Sequence, residues 1–103
     1  MFIAKVKGNV VTTQKVEAMT GRKLLIVDPL RVDEQNGKMD ATGRCFVAVD
    51  SIGAGTGDLV LVTQGSSARM TETTNTAPVD CVIIGIIDSI DAVGKRVYRK
   101  SED

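Results

Sequence analysis

Residues 53–88 read GAGTGDLVLVTQGSSARMTETTNTAPVDCVIIGIID. The stretch holds two glycine- or serine-rich turns, each followed sooner or later by an apolar strand pattern. The second pattern is Val79-Asp80-Cys81-Val82-Ile83-Ile84-Gly85-Ile86-Ile87. At a strand period of two, Cys81, Ile83, Gly85 and Ile87 fall on one face and Val82, Ile84 and Ile86 on the other. Both faces are apolar, whereas a chain of 103 residues has only one modest core to offer. One face fills that core and the other must meet protein. At about 25 cal/mol per Å2 of apolar surface, burying three such side chains stabilises a contact by on the order of several kcal/mol. A short helix or a terminal strand of the same chain is the competing cover. The pattern favours self-association, with Val82, Ile84 and Ile86 as candidate interface residues.

Outward from this strand, helix-period patterns are nearly absent and β-branched residues alternate with glycine turns, which predicts an all-β fold. A first strand runs from Phe2 to about Thr13, with Gly8 as the natural kink or bulge. A second covers residues 23–28, and Pro29 fits its end or an edge position. The polar segment 32–42 carries Asn36-Gly37, a hairpin-turn dipeptide, within an exposed connection free to vary in length. A third strand spans residues 44–50 and a fourth residues 58–63. Ser66 or Ser67 caps a short helical turn through Ala68, Arg69 and Met70. The fifth strand is 80–88, and residues 96–99 form a short sixth. Five strands with a short helix before the last fit a small barrel of oligonucleotide-binding type, in one domain spanning residues 1–103.

Several chemistries are excluded. Thirteen basic residues balance thirteen acidic ones, so the basic excess that drives polyanion binding is missing. The basic run at residues 95–100 reads as an edge strand whose charges discourage aggregation. There is no histidine, the commonest general base and metal ligand near neutrality. Cys45 and Cys81 lie far apart inside apolar patterns, which predicts two buried free thiols and no zinc site. The glycines of residues 53–57 open onto a strand, not a helix, and lack the spacing of a phosphate cradle. No catalytic set, cofactor or metal is expected. The N-terminal residues alternate charge and apolarity too early for a signal peptide, and no apolar run approaches the ~20 residues of a membrane span. A soluble, cytoplasmic protein is expected.

The segments GAGTGDLVLV, QGSSAR and PVDCVIIGIID closely resemble the pentameric shell proteins that form the vertices of bacterial microcompartments, the EutN/CcmL family. Residues 8–13 (GNVVTT) and 23–27 (KLLIV) match as well, so the resemblance covers nearly the whole chain. It implies a five-stranded barrel of oligonucleotide-binding type that closes into a homopentamer. It further implies that the pentamer caps the five-fold corners of a carboxysome-like shell tiled by hexameric proteins. In that family the segment Gly65, Ser66, Ser67, Ala68 and Arg69 lies toward the ring interior, which makes these residues interface and pore candidates. The number five comes from the resemblance; no strand pattern reveals the rotation at which a head-to-tail ring closes. The alternative is a small barrel that binds single-stranded nucleic acid. That function stacks bases on aromatic rings, and the chain has only Phe2, Phe46 and Tyr98.

Overall fold

The computed structural model describes residues 1–15, 17–65 and 80–100. Eight strands follow in order: β1 (Phe2–Val10), β2 (Lys23–Val32), β3 (Met39–Ala41), β4 (Phe46–Asp50), β5 (Leu59–Gln64), β6 (Cys81–Ile86), β7 (Ser89–Ala92) and β8 (Lys95–Arg99). One turn of 3-10 helix, Glu17–Met19, lies between β1 and β2. Five strands pair in the order β1-β5-β6-β4-β2, and β2 returns to β1, so the sheet closes into a barrel. All ladders are antiparallel except β4 on β6, where Val49 faces Val82 and Asp50 faces Ile83. The all-β barrel read from the sequence is the observed fold. The helical turn expected at residues 66–70 lies outside the described residues.

Closure follows from the small, β-branched inner faces. Ala4, Val6, Leu25, Val27, Ala48, Val60, Val62, Cys81 and Ile83 are buried in one cluster, with Phe2 and Ile86 packed against it. At one end the rings of Phe2 and Phe46 lie 5.8 Å apart in a tilted pair, a favourable aromatic geometry. A register shift in the β1–β2 ladder between Val6 and Gly8 bends β1 as the sequence suggested, and the strand stops at Val10, short of Thr13.

Three strand assignments change. β2 does not stop near Pro29 but continues to Val32. Its ladder with β4 ends at Val27 and that with β3 begins at Leu30, so the proline's missing N–H falls where the strand changes partner. Segment 32–42 is accordingly strand at Val32 and at β3: β3 pairs back onto β2, and the Asp33 side chain and carbonyl accept the amides of Gln35, Asn36 and Gly37 across the turn. Gly37 has φ +74° and is buried, and a Cβ there would lie 3.0 Å from both Lys95 Cε and Val97 Cγ1 of β8. The turn is therefore packed, not free to vary. The third change is at the C-terminal end, where β7 and β8 form a separate hairpin through Val93 and Gly94, both at positive φ. That conformation suits a two-residue hairpin turn, but the sequence reading had found only β8.

Two buried carboxylates hold the loops at the barrel rim. Asp50 is 4% exposed; its Oδ1 accepts the Ile52 amide at 3.0 Å and its Oδ2 the Ala54 amide at 2.8 Å. Lys23 Nζ lies 3.5 Å from Oδ2 and donates to the Ala54 carbonyl at 2.8 Å. Asp28, equally buried, accepts from Thr42 Oγ1 and the Gly43 amide. Removing Asp50 strands the buried Ala54 amide and the part-buried Ile52 amide, and removing Asp28 strands two part-buried donors, at up to about 1–3 kcal/mol for each group left unsatisfied. Asp50→Ala is expected to destabilise the protein by roughly 2–4 kcal/mol, and Lys23→Met, whose ammonium is half exposed, by less than about 1 kcal/mol. Urea midpoints of the two variants at equal protein concentration check this order.

Candidate subunit interface

The outer face of the barrel carries apolar side chains that the chain covers only in part. On β2, Leu24 and Ile26 pair with Val49 and Val47 of β4, and Val49 pairs in turn with Val82 of β6. Val49 and Val82 form a second, smaller buried cluster, covered by Met19 of the helical turn and by Leu24. The short turn therefore does cover part of the outer face from within the chain. It does not cover all of it. Val47 remains 49% exposed, Ile84 39%, and Ile52, two residues beyond β4, 46%.

The three β6 side chains assigned to one outer face do not share it. The β5–β6 ladder pairs Val62 with Ile83 and Leu61 with Gly85, leaving Ile84 as an extra residue in β6. Such a bulge reverses the alternation beyond it. Ile86 consequently faces Val60 and packs on the barrel core, while Val82 is buried beneath Met19 and Leu24. Ile84 alone of the three is exposed. A bulge leaves no mark in an unbroken apolar run, and for that reason the period of two carried past it. Val47 was missed, although Phe46-Val47-Ala48-Val49 is apolar on both faces by the same test that singled out β6.

Of the glycine- and serine-rich candidates, Gly65 stands at the other end of β6. The Gly65 amide donates to the Asp80 carbonyl at 2.8 Å, one step beyond the Gln64–Cys81 pair, so both ends of segment 66–79 are fixed side by side. Gly65 has φ +70°, a conformation that favours glycine. Ser66, Ser67, Ala68 and Arg69 lie outside the described residues. At the turn of residues 53–57, the amides of Ile52, Ala54, Gly55, Gly57 and Asp58 all donate within the protein. Those donors are committed to loop geometry, not presented to a ligand.

The cysteines separate in character. Cys81 is buried and Cys45 is exposed, both as free thiols, which corrects the expectation that both are buried. Cys45 stands before β4 begins, on the connection leaving the Asp28-anchored corner at residues 42–43, and so escapes the core. Burial, with a smaller contribution from the neighbouring Asp80 carboxylate, pushes the Cys81 thiol up from its ordinary pKa.

Comparison with known proteins places this geometry. The family described as ethanolamine utilisation protein EutN/carboxysome matches residues 1–88. The microcompartment shell vertex protein EutN of Salmonella typhimurium is 45% identical over 100 residues, covering 97% of this chain and 96% of the relative. The carboxysome shell vertex protein CcmL of Synechocystis is 39% identical over 103 residues, with 100% and 98% covered. Among solved structures, CcmL of Gloeobacter violaceus superposes with a TM-score of 0.87 at 36% identity, covering 99% of this chain and all of that one. A pentameric microcompartment shell protein, GrpN of Rhodospirillum rubrum, gives 0.73 at 38% identity, with 90% and 99% covered.

Ile84→Asp is expected to convert the assembled protein into monomers that keep their circular dichroism spectrum, since the new charge is buried only at a subunit contact. Ile86→Asp and Val82→Asp place the charge inside one chain and are expected to lower the thermal midpoint or prevent folding. Sedimentation velocity and thermal melts on the three variants separate these outcomes. An Ile84→Asp protein that stays assembled would remove Ile84 from the interface.

Proposed function

The chain belongs to the EutN/CcmL family of microcompartment shell proteins, and on that premise we propose that residues 1–103 act as one vertex domain. Five copies form a ring that caps a five-fold corner of a microcompartment shell. The observation that carries this function is the match along nearly the full length of both chains to shell vertex proteins, joined by the superposition on a pentameric shell protein. The role is structural, and no catalytic step is assigned to the chain.

Ring closure is served by the uncovered outer face. In a cyclic assembly the contact is head-to-tail: one patch of each subunit meets a different patch of the next. Val47 and Ile84 supply apolar contacts to the ring, and since each is already about half buried or more, removing the remainder from water contributes on the order of 1 kcal/mol each. Gly65 to Arg69, which follow β5 in the chain, are the segment we assign to the ring interior. Small residues there allow symmetry-related loops to approach one another closely. The geometry of a five-fold unit then supplies curvature where hexagonal tiles alone lie flat, and the partners that surround it are hexameric shell proteins.

Co-expression with hexameric shell proteins, followed by electron microscopy of purified shells, tests the function. Shells made with the chain are expected to close into polyhedra containing it, and shells made without it to show open corners. Closed shells that form equally without the chain, or that exclude it, would overturn the vertex role.

A further inference from the structure

Two arginines on this molecule face a common cleft, and neither is ion-paired with the one acid that lines it. Arg31 on β2 and Arg44 just before β4 are both exposed. Among the described residues neither forms an ion pair within 4.0 Å. Together with Asp40, Ala41 and Thr42 they line a cleft of about 480 Å3.

The walls of this cleft are built from fixed pieces. Asp28, buried inside the barrel wall, accepts the Thr42 hydroxyl at 3.2 Å and the Gly43 amide at 3.0 Å through the same oxygen. The Thr42 oxygen accepts the Arg44 amide at 3.3 Å. A buried carboxylate thus anchors the backbone from which Arg44 projects. Arg31 is set independently by the β2–β3 ladder, in which it pairs with Asp40 while Leu30 pairs with Ala41. Asp33, which accepts the amides of Gln35 and Asn36, and Glu34 line an adjoining cleft with Arg31 and not this one.

We propose that the cleft between Arg31 and Arg44 is a binding site for a small oxyanion, a carboxylate or a phosphate group. The planar guanidinium fork matches the two oxygens of such a group, and charge-assisted bonds of this kind are stronger than neutral ones. Among the residues that line the cleft, two guanidiniums stand against the one carboxylate of Asp40, a local basic excess that favours an anion. Its open, solvated walls set a weak affinity, with Kd on the order of 1 mM. Both arms project from backbone that is held within one chain.

The test is an amide-detected NMR titration of the assembled, deuterated protein with sodium acetate and, separately, inorganic phosphate, against sodium chloride at constant ionic strength. Saturable shifts at Thr42, Gly43, Arg44 and the residues around Arg31 are expected with at least one of the two, and which one identifies the group taken. Arg31→Gln and Arg44→Gln are each expected to weaken binding on the order of tenfold. Arg96→Gln, whose arginine pairs with Asp91 on the separate hairpin, leaves it unchanged. Only linear shifts common to chloride, or curves unaffected by both cleft variants while their amide fingerprints remain native, would overturn the site.

Discussion

A closed barrel has one inside, and β6 brings apolar side chains to both of its faces. The rest of the molecule is arranged around that constraint. Cys81 and Ile83 enter the interior, and the helical turn at Glu17–Met19 lays Met19 over Val82 and Val49. The bulge at Ile84 then returns Ile86 to the core, so that a single isoleucine of the strand stays outside. Val47 of β4 stays exposed as well, so the chain retains apolar side chains that folding alone does not remove from water. A shell subunit needs this balance: enough internal cover to fold, and enough uncovered surface to associate.

Rigidity at the rim comes from buried acids, not from more apolar packing. Asp50 organises the glycine turn through two backbone amides, and Gly57 and Asp58 are stitched in turn to Val6 of β1. Asp28 performs the matching task where β2 changes partner from β4 to β3. Both carboxylates are satisfied by donors of the protein itself, as burial of a charge requires. Among the described residues no buried side-chain polar atom lacks a partner. Loops held in this way keep one shape when subunits are packed against neighbours, which a closed shell demands.

The sequence disclosed the fold class, the barrel strands and the kink at Gly8, because alternation and glycine placement are local signals. It misjudged features that depend on what a strand meets later in the chain. Pro29 reads as a terminus until β4 and β3 are seen to share the side of β2 on which its N–H is missing. Asn36-Gly37 reads as a free turn until Val97 is found against Gly37. The candidate site was legible as an excess of apolar residues on β6 but not in its detail: a one-residue bulge reassigned Ile86, and the intramolecular cover over Val82 comes from a helical turn some sixty residues earlier in the chain. Five-fold closure depends on an angle between subunits and entered only through family resemblance.

The account stands on association of the chain with four copies of itself, and native mass spectrometry of the purified protein addresses that directly. The expected result is a dominant species at five times the 11.0 kDa subunit mass, persisting on dilution. A dominant monomer under the same conditions would contradict it, since Val47 and Ile84 would then be tolerated in water and the outer face would have no partner among copies of this chain.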